Sequence, residues 1–200
     1  MKQRAVCLPG VLAALAVVLG IAGCGVTIQT GPQTAEEATQ SSEVQARTMR
    51  ARWMNQLEAA QPVEKVTMLT VLIDSVSSLY TGYGYDVADQ WRQGNEGRGE
   101  NISDAEMREM VQRWTKTQQP LLQSYEDVIE FALEHIRKDN FFDETTDGLI
   151  MSLAEQFYEV YSRVFYPVGT LADYEYGLSR LQATTQELSD QVRADLLRYR

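Results

Sequence analysis

Cysteine is almost missing from this chain: there are two in 200 residues, Cys7 and Cys24, both near the N-terminus. Everything beyond residue 24 lacks a thiol, which excludes disulfides, thiolate metal sites and a cysteine nucleophile from the body of the chain. Histidine is scarcer still. With His135 alone, neither His-Glu-x-x-His nor the paired Glu-x-x-His of a dinuclear carboxylate bundle can be assembled, and Gly-x-Ser-x-Gly is absent as well. Positive charge is also short: 18 Lys and Arg face 28 Asp and Glu, for a formal net charge of −10. Such a surface repels phosphate backbones and anionic headgroups, which argues against nucleic-acid binding and against electrostatic attachment to a membrane. Apolar residues form no long run after residue 23, and little of the chain alternates with the period of a strand.

What is present begins at the N-terminus. Lys2 and Arg4 precede an almost unbroken apolar stretch, Val11 to Leu19, and the small residues Ala22 and Gly23 stand directly before Cys24. This is the three-part form of an export signal. Ile21-Ala22-Gly23-Cys24 resembles, at every position, the lipobox of bacterial lipoproteins. The resemblance covers the first 24 residues. It implies cleavage before Cys24, acylation of that cysteine, and attachment of the remaining chain to a membrane of the cell envelope. Two or three acyl chains make such attachment effectively permanent, since each buried methylene contributes about 0.8 kcal/mol. Gly25 is not the aspartate associated in that family with inner-membrane retention, so the outer membrane, facing the periplasm, is the expected address in a cell with two membranes. An uncleaved anchor would need roughly 20 apolar residues, and Pro9-Gly10 interrupts the run. Removal of the leader takes Cys7, Lys2 and Arg4 with it and leaves a charge of about −12 on residues 24–200.

The expected organisation is a signal peptide over 1–23, a lipidated cysteine and linker over 24–42, and an all-α bundle over 43–200. Gly25 to Ser42 is rich in Thr, Gln, Gly and Ser, although small and charged residues from Ala35 onward could start the first helix early. Ala46, Met49, Trp53, Leu57 and Ala60 then recur at helical spacing, and Val66, Leu69, Ile73, Val76 and Tyr80 continue it beyond Pro62. Tyr80 to Asn101 holds five glycines and reads as a long irregular segment, the type of loop that tends to be functional or disordered. Its aromatic half, Tyr80, Tyr83, Tyr85 and Trp91, is a candidate contact for a partner or ligand, with packing at one end of the bundle as the plainer role.

Ser103 with Glu106 forms a capping box that starts the third helix. Met107, Val111, Leu121, Tyr125, Val128, Ala132 and Ile136 keep one face across Pro120, which predicts one long helix kinked at that proline. Leu149, Leu153, Phe157, Val160 and Val164 mark a fourth helix. A fifth runs from Thr170 along Tyr174, Leu178, Leu181, Leu188, Val192, Leu196 and Tyr199. Five striped helices with mostly short connections predict an up-and-down bundle.

Three constellations invite chemistry. Asp143, Thr145, Asp147 and Gly148 resemble the opening of an EF-hand calcium loop, but the twelfth position is Ala154 and the glutamate, Glu155, comes one residue late. Calcium would lose its bidentate ligand there, and an ordinary helix N-cap explains the same residues. Glu126, Glu130 and Glu134 share a helix face as a solvated acidic stripe. Tyr158, Tyr161, Phe165, Tyr166, Tyr174 and Tyr176 gather around Pro167 as bundle packing or a groove. No cofactor is implied. The expected role is a non-enzymatic structural or protein-interaction module held at the membrane by lipid on Cys24, acting on an envelope protein. A carrier or sensor for a small apolar ligand or weakly bound calcium is the alternative.

Overall fold

A computed structural model describes residues 35–98 and 103–199. The described residues are almost entirely helical and contain no strand. Five α-helices follow in order: α1 Ala35–Ala59, α2 Pro62–Arg98, α3 Asp104–Asp139, α4 Glu144–Phe165 and α5 Leu171–Leu196, with a short 3₁₀ turn over Leu197–Tyr199. None of them is long and apolar enough to cross a membrane. Cys24 and the lipobox lie outside the described residues.

Local chemistry sets the boundaries. Pro62 opens α2 where a backbone N–H would be unpaired anyway, and the Gln61 N–H donates to Glu64 at 3.0 Å. At α3 the capping box forms as the sequence predicts: Glu106 N–H donates to Ser103 Oγ at 3.3 Å, and Ser103 N–H donates to Glu106 at 3.0 Å. Helix α3 runs unbroken through Pro120 to Asn140, whose left-handed φ of 44° turns the chain out of the helix. A second capping box, Thr170 with Asp173, starts α5.

Three cross-helix pairs fix the directions. Arg50 meets Asp127 at 2.9 Å, Lys65 meets Asp139 at 2.7 Å, and Arg92 pairs with Glu175. Tyr80 and Tyr83 of α2 meet Phe157 and Phe165 of α4 in the same order, so α1, α3 and α5 run one way and α2 and α4 the other. Helix α2 is the axis, packing on α3, α4 and α5, whereas α1 lies along α3 rather than on its sequence neighbour. The axial position explains the width of the α2 stripe: Val66, Leu69, Leu72, Ile73, Val76, Tyr80 and Val87 are all at most 1% exposed.

Two boundaries differ from expectation. The linker expected over 24–42 gives way to helix at Ala35. The irregular segment expected over Tyr80–Asn101 is helical to Arg98. Gly82 and Gly84, which suggest a break, sit inside α2. At Gly84 a Cβ would lie 2.8 Å from both δ carbons of Leu178 and 3.1 Å from the Tyr174 hydroxyl, so the glycine permits close approach of α5 and does not loosen the backbone.

The seams also shift. In α4 Ile150, rather than Leu149, is buried, and in α5 Thr185 and Ser189 occupy the seam while Leu181 and Leu188 are only half-buried. Thr185 Oγ1 donates to the Leu181 carbonyl at 2.9 Å and Ser189 donates to Asp74, which Arg193 also holds. Polar residues are tolerated there because their hydrogen bonds are satisfied.

Candidate functional site

Helix α4 is short. Its Tyr161 ring meets Tyr80 of α2 at 6.0 Å between centroids, and beyond that level α4 has a single turn left while α2 continues to Arg98. The face of α3 that a longer α4 would cover is therefore open. Gln112, Thr115, Lys116, Gln119, Gln123 and Glu126 recur on it at steps of three and four, and together with Leu122 they form one wall of a groove of about 300 Å³. Tyr161, Phe165 and Tyr166, at the end of α4, form the other wall.

The two walls differ in chemistry. The α3 wall offers amide donors and acceptors from Gln112 and Gln119, while Gln123 donates to Asp127 at 3.0 Å. The α4 wall offers aromatic faces that range from the buried Phe165 to Tyr166, which is 65% exposed. Burial raises the Glu126 carboxyl above the ordinary range, and the neighbouring charges of Glu130 and Asp127 push it the same way. Burial likewise raises Tyr161, reinforced by Glu126. Behind this wall Tyr80 packs edge-on to Phe165 at 5.2 Å, and its fully buried hydroxyl has no hydrogen-bond partner. A second, smaller recess of about 50 Å³ lies between α2 and α5 at Asp74, Ser77 and Thr185.

The aromatic residues proposed from sequence are dispersed in role. Tyr80, Tyr83 and Trp91 are 0%, 5% and 6% exposed, whereas Tyr85 is 38% exposed. Tyr83 stacks on Phe165 at 6.3 Å and Trp91 approaches Tyr174 at 6.4 Å, so these rings tie α2 to α4 and α5. Burial raises the hydroxyl pKa of both Tyr83 and Tyr174. Only Tyr85 presents its ring to solvent to any extent.

Asp143, Thr145 and Asp147 do not converge. Asp143 is the N-cap of α4: its Oδ1 accepts from the Thr146 N–H at 2.9 Å and the Thr146 hydroxyl at 3.0 Å, and its Oδ2 from Arg198 at 2.6 Å. These bonds, the Thr146 N–H first, hold its carboxyl down to about 2. Thr145 and Asp147 are exposed on the first turn. Among the described residues no three His, Cys, Asp or Glu side chains are placed to share a metal ion. His135 Nδ1 lies 2.9 Å from the Phe131 carbonyl, and Glu134 pairs with Lys138, so the acidic stripe divides between a groove residue, Glu126, and surface residues.

Sequence reasoning missed the groove as a unit. Its polar wall is visible as helical spacing of glutamines, but nothing local announces that α4 stops short of it. Comparison with protein-family models, curated protein sequences and solved structures returns no match, so the geometry of the bundle and its groove stands by itself.

Proposed function

We propose that this chain is a lipid-tethered, non-enzymatic interaction module of a bacterial cell envelope, and that the groove between α3 and the end of α4 receives a segment of a partner protein. The observation that supports this most is the pairing of an amide-rich wall with an aromatic one on an open surface. Glutamine side chains can satisfy a partner's backbone, and Tyr161, Phe165 and Tyr166 offer large contact area at low entropic cost. The lipobox supplies the tether, and the acidic surface disfavours nucleic acid as the partner.

The carrier alternative has less to stand on. The groove between α3 and α4 is open and the recess at Asp74 is small and polar, and neither is an enclosed apolar chamber. Weak calcium binding at Asp143 competes with the cap and ion pair that already engage that carboxylate.

A photo-crosslinking amino acid at Gln119, compared with one at Gln191 on the exposed face of α5, tests the groove in intact cells. A discrete protein adduct from Gln119 alone, lost when Tyr166→Ala is added, is the expected result. Equal adducts at both positions, or none at Gln119, would remove the groove as the contact surface.

A further inference from the structure

We infer that the corner of the bundle at the α4–α5 turn seats on the lipid surface to which the chain is tethered, through Val168 and Tyr176, leaving Tyr166 to the groove. The inference rests on the acylation of Cys24 proposed above. The two side chains are 61% and 72% exposed, yet the opposite end also exposes apolar groups, Phe141 at 48% and Leu197 at 62%. Geometry decides between the two ends.

Arg50 of α1 meets Asp127 of α3, and the end of α1 leads at once into the start of α2, where Lys65 pairs with Asp139 at the end of α3, so α1 and α3 run side by side in the same direction. Equal steps back along both helices pair Ala35, the first residue of α1, with Gln112, which lines the same groove as Tyr166. The tether therefore enters at the level of the α4–α5 turn. Helix α1 is about 36 Å long at 1.5 Å per residue, so Phe141, past the end of α3, lies about that distance away or more, and Tyr199 packs on it at 5.7 Å, which places the Leu197–Tyr199 turn at the same end. The chain steps from Cys24 to Ala35 reach at most about 40 Å at 3.3–3.6 Å each. Seating the far end would stretch that chain to its covalent limit along the side of the bundle. Seating the near end leaves it slack.

The chemistry of the near end agrees. A tyrosine beside a valine suits the interface of a bilayer, where the ring meets acyl chains and the hydroxyl meets water. Two carboxylates beside the turn are already engaged: Asp173 closes the Thr170 capping box, and Glu175 pairs with Arg92. The contact is apolar rather than electrostatic. The tether holds the corner at high local concentration, so weak intrinsic affinity suffices. The groove then opens close to the membrane, and a partner reaches it there.

Single cysteines placed in the full-length chain by Val168→Cys, Tyr176→Cys, Phe141→Cys, Leu197→Cys and Val71→Cys test this. Each variant is expressed with its leader, purified from membranes, labelled with a fluorophore and reconstituted into phosphatidylcholine vesicles containing a spin-labelled lipid quencher. With Cys24 acylated and Cys7 removed, the introduced thiol is the only one. Quenching at least several-fold stronger at 168 and 176 than at 141, 197 and 71 is expected. Equal quenching at both ends, or the strongest at 141, 197 or 71, overturns the orientation. Labelling of the unsubstituted chain at Cys24 instead shows that the tether itself is missing, and the inference falls with it.

Discussion

Gly82 and Gly84 are two residues apart in α2, and alanine should act on them with opposite signs. In the interior of a helix alanine is favoured over glycine by about 0.5–1 kcal/mol because less backbone entropy is lost on folding. At Gly82 nothing lies within 4 Å of an added Cβ, so Gly82→Ala should stabilise by that amount. At Gly84 the same methyl would lie 2.8 Å from both δ carbons of Leu178, well inside the 3.5–4.0 Å of a carbon–carbon contact. Leu178 and Tyr174 are both 0% exposed, and Trp91 stands against Tyr174, so neither side chain can move aside without displacing others. Overpacking of this kind costs about 1–3 kcal/mol, which meets or exceeds the helical gain and leaves Gly84→Ala destabilised by up to about 2.5 kcal/mol. With a urea slope of about 2 kcal/mol per molar, the midpoint should rise by about 0.2–0.5 M for Gly82→Ala and fall by up to about 1.2 M for Gly84→Ala. Urea unfolding followed by circular dichroism measures both. If Gly84→Ala matched Gly82→Ala, α5 would not approach α2 as described, and if both were neutral, this stretch would not be helical.

Tyr80→Phe removes a buried hydroxyl that has no partner and should leave stability unchanged or raise it by about 1 kcal/mol; a loss larger than that would reveal a hydrogen bond, through water or Glu126, that holds the site together. Asp143 has a folded pKa held down to about 2, below its unfolded value of about 3.9, so its contribution is complete above about pH 4 and is lost as the pH falls toward 2. The difference in urea midpoint between the parent chain and Asp143→Asn should accordingly shrink across that interval, and a difference that stays constant would mean that the charge on this cap adds nothing.

Much of the fold is legible in the sequence because its signals are local. Ser103 and Glu106 mark the start of α3, a cap for α4 is visible among Asp143 to Thr146, α5 starts at Thr170 as expected, and the phase of Met107 through Ile136 survives Pro120. Where tertiary packing decides, the sequence misleads. Gly84 resembles a helix breaker because its reason, the side chain of Leu178, lies on another helix nearly a hundred residues away. Thr185 and Ser189 are missing from the apolar seam expected for α5 because the partners that allow their burial, the Leu181 carbonyl and Asp74, are invisible to a hydropathy pattern. The candidate site follows the same division. Tyr161, Phe165 and Tyr166 stand out as an aromatic cluster and Glu126 as part of an acidic stripe, but their meeting depends on the relative lengths of α3 and α4, which no local motif encodes. Tyr80, Tyr83 and Trp91 attract notice for the opposite reason: placed in a loop they suggest a binding surface, and placed on the axial helix they become core.

The most direct test of the account is intact-mass measurement of the protein purified from membranes of cells expressing the full chain. The account predicts a chain that begins at Cys24 and carries the added mass of a diacylglyceryl group, with or without a further amide-linked acyl chain. A product that retains residues before Cys24 and carries no acyl mass would contradict it.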